Sequence, residues 1–421
     1  MKIKNLFLLA ALGLMASATL TSCEDILGEW SRPTPTAVTP SAIAVTGITL
    51  DADATINLGE TKTLTATVAP DNATDKTVSW RSEDETVATV ADGVVTAVAA
   101  GTATITATAN DGSGVKATCE VTVKIPGLLA GKFTINDNAT NNQVQFSQGN
   151  LQYQASTQTW RFAENQYDYV GNAVGNTTST VRDSQADWID LFGWGTAGHS
   201  FASGYGEYYQ PWATENSDAT KYGPTDGTSS LTGTYAQGDW GTNAISNGGN
   251  AENSGWRTLT GGSGGEWEWI LGPSSSATPG TNCRTSSTIG GTANARFVKA
   301  TVHSTKGVII FPDEITWNTT TMGTAPTTCN TTNNSFTYSP SDDNWTALET
   351  AGCVFLPAAG YRGFTTGTTV QSAGSRGRYW SSTVNSANNA YFVDFPSGNL
   401  SPALYSDRYY GFSVRLVRPA E

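Results

Sequence analysis

The sequence predicts a mainly β chain: a small N-terminal β-sandwich, then a larger α+β domain with long loops. Three observations carry this. Residues 45–124 alternate apolar and polar side chains at period two in short runs broken by turns. Residues 128–418 place strand-like runs between long connections rich in Gly, Asn, Ser and Thr. A helical period is nearly absent from both. The length of 421 residues accommodates two or three domains of roughly 100–200 residues each.

The chain opens with an address. Lys2 and Lys4 precede an apolar run from Leu6 to Leu14 that is too short to span a bilayer, so residues 1–22 read as a secretory signal. The segment Leu20-Thr21-Ser22-Cys23 resembles a bacterial lipobox. That resemblance implies cleavage before Cys23 and lipidation of its thiol and new amine, which anchors a protein to a leaflet without a spanning helix. Glu24 and Asp25 resemble the acidic export tags of surface lipoproteins in Gram-negative anaerobes. The expected location is therefore the outer membrane, facing outward, with the membrane contacted by the lipid alone. Residues 23–44 form a Pro/Thr-rich linker, whose composition favours extended conformations and builds no core.

In the first folded segment the alternating runs are Thr63–Val68, Val94–Val98 and Thr102–Ala107, punctuated by Gly59, Pro70-Asp71-Asn72, Asp92-Gly93 and Gly101. About eighty residues with strands at this spacing point to a β-sandwich. The strings VTGITL (45–50), VSWRSED (78–84) and VATVADGVVTAVAAGTATITA (87–107) resemble the bacterial Ig-like group 2 family. The resemblance implies Trp80 in the sandwich core and strained backbone angles at Gly93 and Gly101. A spacer role is expected. Cys119 has no partner within the segment and reads as a small buried side chain.

Beyond residue 128 the clearest helices are Gly265–Leu271 and the stretch near Asn344–Ala351, where Asp342-Asp343-Asn344 supply capping residues. Strands are expected at Val144–Phe146, Arg296–Val302, Gly307–Phe311, Val354–Leu356, Ala390–Phe395 and Gly411–Val417. Several strings, among them DLFGWGT (190–196), WRTLTGGSGGEWEWIL (256–271), FLPAAGYR (355–362), RYWSS (378–382) and GFSVRLVR (411–418), resemble the major-paralogous-domain family of exported bacterial proteins. Its fold is similar to the C-type lectin fold of the formylglycine-generating-enzyme type. What the resemblance implies is a C-type-lectin-like domain over 128–418, with a loop-rich ligand face at its C-terminal end.

Composition narrows the chemistry. Lys and Arg number 23 against 36 Asp and Glu, a net charge of −13, and no basic run occurs; this argues against nucleic acid as a partner. Two histidines leave little for His-based metal sites or triads, and His199 and His303 are isolated. Glu266 and Glu268, two apart on a short helix, face different directions and make a poor acid–base pair. The family's paired C-terminal cysteines are missing from 364–421; Cys283, Cys329 and Cys353 leave open one disulfide and one free thiol. The protein is read as a non-enzyme. No cofactor is expected; a structural calcium held by loop oxygens is compatible with the sequence, though no metal site is assigned.

The C-terminal segment carries the site. Its WSS-type strand, Asn-rich loop and terminal G-x-S-V-R-L-V resemble the variable proteins of diversity-generating retroelements. Those elements mutate adenines in AAC or AAT codons and so never yield Lys, Glu, Gln, Met or Trp. None of these occurs from Ser381 to Ala420. The expected ligand-binding residues are Arg378, Val384, Ser386, Asn388, Tyr391, Val393, Ala403, Tyr405, Ser406, Tyr409 and Tyr410. Tyrosine supplies rigid amphipathic contact area, while Ser and Asn adapt their hydrogen bonds. Phe392, Phe412, Val414 and Leu416 are assigned to the core. Among Arg408, Arg415 and Arg418 at least one structural salt bridge is expected. The partner is a protein or a glycan; the alternatives are a structural or fimbria-associated surface protein without a dedicated ligand and, last, an oxidase of the formylglycine-generating-enzyme type.

Overall fold

The computed structural model describes residues 41–420 apart from 139, 141, 178–185, 198–222, 225, 253, 274–282, 334 and 364–368. The signal segment, Cys23 and most of the linker lie outside the described residues, as does His199. Residues Ala44–Glu421 form one compact unit, in which two sets of sheets share no strand.

The first set is a sandwich. Strands β2 (Ala54–Asn57), β9 (Lys116–Lys124), β8 (Gly101–Ala109) and β5 (Val78–Ser82) form one sheet in that order; β3 (Thr61–Thr63), β7 (Val94–Ala97) and β6 (Ala88–Ala91) form the other. A short pair joins β1 (Gly47–Thr49) to β4 (Thr67–Ala69). Alternation does the sorting: Ala103, Ile105 and Ala107 of β8 point inward with Cys119, Val121 and Val123 of β9. Each larger buried side chain contributes about 1.5–3 kcal/mol. Trp80 sits at the rim, half-buried against this core rather than filling it. Gly93 and Gly101 do adopt positive φ, +81° and +144°. A Cβ on Gly93 would lie 2.9 Å from the Leu64 carbonyl oxygen and 3.2 Å from the Trp80 ring.

The second set begins after Gly127. Strands β10 (Leu128–Thr134), β11 (Gln143–Ser147), β23 (Leu416–Pro419) and β14 (Arg257–Thr258) make a four-stranded sheet. Strands β12 (Leu151–Gln154) and β13 (Thr159–Phe162) pair as a hairpin. A three-stranded sheet holds β15 (Phe297–Val302), β16 (Thr305–Ile310) and β17 (Val354–Pro357). The largest sheet has the order β19 (Val370–Gln371), β18 (Ala359–Arg362), β20 (Arg376–Val384), β21 (Asn389–Pro396), β22 (Ser401–Asp407). Helices are short: α1 (Val174–Thr177), α2 (Glu266–Leu271), α3 (Thr319–Met322) and α4 (Asp342–Thr350). Ser341, one residue before the expected caps, caps α4 by accepting from the Asn344 amide. The Gly411–Val417 stretch is less regular than expected. Only Leu416 onward is strand, while Gly411, Phe412 and Ser413 bridge singly to Arg362, Phe192 and Tyr379.

The five-stranded sheet is buried on both faces. One face packs Trp380, Ala390 and Phe392 against Phe412, Trp194 and Trp240; the other packs Tyr379, Val393 and Phe395 against Trp267 and Leu356. Trp380 stacks on Phe412 at 4.2 Å, and its indole N–H donates to the Phe192 carbonyl at 2.7 Å.

Several buried polar groups here are paired through a shared network. Gln166 donates to Glu349 and to the Cys353 carbonyl, and accepts from the Phe355 amide and from Arg415. Tyr379 accepts from Asn150 and donates to the Pro357 carbonyl. Lys299, almost fully buried, directs its ammonium at the carbonyls of Thr332, Pro396, Ser397 and Asn399, 2.7–3.3 Å away. Burial pulls its pKa down to about 8.

Candidate functional site

The residues expected to bind ligand divide between the two faces of β21. Tyr391 and Tyr405 stand directly opposite one another in the β21–β22 pairing, their rings 6.2 Å apart and edge to face. Tyr391 is half-buried. Its hydroxyl accepts from Asn385 at 2.8 Å, and its ring lies against Gly262, where a Cβ would come within 3.2 Å. Tyr405 is 59% exposed on the strand that ends the described sheet.

Strand alternation puts Arg378 and Asp394 on the opposite face. Asp394 is buried and receives Arg376 through two bonds of 2.6 and 2.8 Å, with Arg378 Nε at 3.2 Å. The Arg378 guanidinium lies 3.8 Å over the Tyr361 ring and about 5 Å from Phe392 and Phe412. Tyr410 stacks on Phe412, and Tyr409 leans on Tyr410 at 5.1 Å while donating to Asp407. Burial pushes both tyrosine hydroxyls up, with Asp407 adding to the effect. Burial also lowers the Arg378 pKa, helped by Arg376. Arg378 has one polar partner, through Nε; its two terminal nitrogens make no hydrogen bond to described residues and reach solvent. An aromatic socket thus presents unused N–H donors, with the Asp394 carboxylate shared between two guanidiniums. The arrangement suits a single anionic group.

The remaining expected residues have mixed roles. Val384 packs on the core from a half-buried position, and Ser386 accepts from Asn389 while its carbonyl accepts from Arg408. Asn388 is exposed; Ala403 and Ser406 are half-buried on or near the edge strand. Val393 is a correction: it is fully buried among Val354, Leu356 and Phe395 and has no surface to offer a ligand. Alternation misled because β21 buries both its faces. The tyrosines likewise do not share one face, since Tyr391 and Tyr405 are separated by the sheet from Tyr410.

The three C-terminal arginines are held in different ways. Arg415 is fully buried and bonds the side-chain oxygens of Gln166 and Asn150, not a carboxylate. Arg408 is buried 4.7 Å over Trp194 and donates to the carbonyls of Pro224 and Ser386; burial lowers it to about 10. Arg418 lies beside Trp256.

The reactive residue types are occupied structurally. Glu266 forms a bidentate pair with Arg257 at 2.6 and 2.7 Å, and Glu268 accepts from the Gly264 amide. His303 sits in a turn beside Tyr167, 3.2 Å from Asp342. Cys119, Cys283, Cys329 and Cys353 are all buried and free, so the disulfide left open among the last three does not form. Burial raises their thiol pKa values, to about 11 for Cys329. Among the described residues no group of three or more His, Cys, Asp or Glu is placed to hold a metal, and no helix is long and apolar enough to cross a membrane.

Comparison with known proteins separates the two halves. Residues 44–121 match the bacterial Ig-like domain (group 2), over the sandwich described above. The first module is a bacterial Ig-like domain. Residues 340–417 match a domain of unknown function, DUF8237, which takes in α4 and every expected ligand-binding residue. Curated relatives match over short stretches. A 3-O-alpha-D-galactosyl-alpha-L-arabinofuranosidase of Bifidobacterium longum is 51% identical over 78 residues, 18% of this chain and 7% of its own length. A lacto-N-biosidase of Bifidobacterium bifidum is 40% identical over 124 residues, 27% of this chain and 11% of its own. An Ig-like virion protein of Serratia phage KSP90 is 47% identical over 89 residues, 20% of this chain and 34% of its own. The chain thus spans between 7% and 34% of these relatives. The glycosidase matches are short Ig-like-domain matches, 7% and 11% of those proteins, and carry no catalytic implication. Among solved structures, domains 4 and 5 of the S-layer protein SbsC align at 21% identity and a TM-score of 0.17, covering 19% of this chain and 52% of that one.

Proposed function

We propose that the protein is a bacterial surface lipoprotein that captures a ligand at the C-terminal end of its second domain. In this reading Cys23 carries the lipid, residues 23–44 are a stalk, and the Ig-like domain is a spacer. The second domain adopts the C-type-lectin type of fold, a reading that its small sheets, short helices and long connections support. The observation that carries the proposal is Arg378: a guanidinium socketed on Tyr361 whose terminal nitrogens are unused and face solvent. The ligand is a protein or glycan bearing an anionic group, received by Arg378 with Tyr410 beside it.

The test is binding of the full chain to arrays of host proteins and of acidic glycans. Arg378→Ala lowers affinity for the captured ligand at least about tenfold, while Tyr405→Ala, on the other face, changes it little. The reverse ranking moves the site to the Tyr391–Tyr405 face. Silence on both arrays favours a structural or fimbria-associated surface protein.

Retroelement diversification of the segment after Arg378 is part of this proposal. The source genome decides it: lack of a near-copy of the 378–418 coding segment beside a reverse transcriptase gene removes it.

A further inference from the structure

A second cleft lies away from that face, on the β12–β13 hairpin. Its volume is about 500 Å³, within the roughly 300–1,000 Å³ of small-ligand sites. Its lining includes the cross-strand pair Gln152 and Arg161, joined by Arg161 Nε donating to Gln152 Oε1 at 2.9 Å. Glu164, Tyr169, Asp187 and Trp188 line it as well. Bonds to buried neighbours fix the segments that carry these residues. Asp190, fully buried, accepts from the Val170 amide at 2.7 Å and from Asn176 at 2.6 Å, and Tyr153 and Ile189 exchange backbone bonds of 2.9 Å. The cleft is therefore held open before any ligand arrives.

Several of its polar groups are unspent. The carboxylates of Glu164 and Asp187, the Trp188 indole N–H, the Tyr169 hydroxyl and the terminal nitrogens of Arg161 make no hydrogen bond to described residues. None of them is sealed from solvent. Donors and acceptors are interleaved with two aromatic rings, the mixture that suits hydroxyl groups, which donate and accept at once. Charge narrows the class. Three carboxylates, counting Asp168, face one guanidinium in the lining, so an anion is repelled. A cation meets like charge at the Trp188 ring, because the Arg161 guanidinium lies 3.8 Å over one of its faces.

We infer that this cleft binds a neutral saccharide, independently of the Arg378 face. The protein then carries two ligand sites of different charge preference. The experiment applies the full chain to an array of neutral oligosaccharides, with a trimethyl-lysine peptide and a uronate-containing oligosaccharide as charged probes. A neutral oligosaccharide is bound. Trp188→Ala weakens it at least about tenfold and Asp187→Ala, at an exposed side chain that leaves folding intact, at least about threefold. Arg378→Ala leaves this binding unchanged, which keeps the result separate from the fate of the first site. Silence across the neutral array, binding indifferent to both substitutions in the cleft, or preference for either charged probe overturns the inference.

Discussion

The Ig-like module and the domain after it bury their sheets with different materials. The module uses small and β-branched side chains on strict alternation and has a single aromatic, Trp80, at its rim. The second domain uses tryptophan and phenylalanine, and threads hydrogen-bonded polar groups between its sheets: Gln166, Arg415, Asn150 and Tyr379. A core of the first kind tolerates a volume change by local collapse. A core of the second kind depends on each partner, because a buried donor or acceptor left alone costs its full desolvation.

The largest expected effect follows from that dependence. Gln166→Leu removes a partner from Arg415, Glu349, the Cys353 carbonyl and the Phe355 amide together, and the second domain loses about 3–5 kcal/mol in urea unfolding. An equal loss from Val121→Ala in the module would break the contrast.

Acidity separates the halves next. Burial raises the Asp190 carboxyl from 3.8 to about 6. The folded state then holds this proton more tightly than the unfolded chain, so the stabilisation is complete below pH 4 and is lost as pH rises to about 6. The expected swing is about 3 kcal/mol at 1.36 kcal/mol per pKa unit. Unfolding of the second domain measured across this window shows the slope, and Asp190→Asn removes it. Retention of the slope in that variant assigns it to other groups.

Within the module the effects are those of the backbone. Gly93→Ala costs about 1–3 kcal/mol, since the new Cβ meets the Leu64 carbonyl at a positive φ. Gly59 has nearly the same φ, +82°, but open space around it, so Gly59→Ala costs about 1 kcal/mol or less. Thermal melting of the two variants sharpens how much of the cost is collision and how much is conformation.

Much of this architecture is legible from residue order. Alternation marks β8 and β9, the glycines at 93 and 101 take the expected angles, and both principal helices form within a residue or two of the expected spans, α4 behind a side-chain cap. The site is less legible. A strand buried on both faces reads as half-exposed when its neighbours are unknown, which is how Val393 entered the ligand set. Arg408 and Arg415 look like surface cations because hydropathy does not see the oxygens that receive them. The cleft was missed because its residues come from 152–188 in three pieces; the one local sign was Asp187-Trp188, an acid beside an aromatic in a loop.

Lys299 bears on how this protein can evolve. It grips the turn between β21 and β22 through main-chain oxygens of Pro396, Ser397 and Asn399, groups every amino acid possesses. The tip of the hairpin is thus anchored without regard to which side chains occupy the turn. The exposed turn residues Ser397, Gly398 and Asn399, and Leu404 and Tyr405 on the edge strand, can therefore change side chain without giving up this anchor.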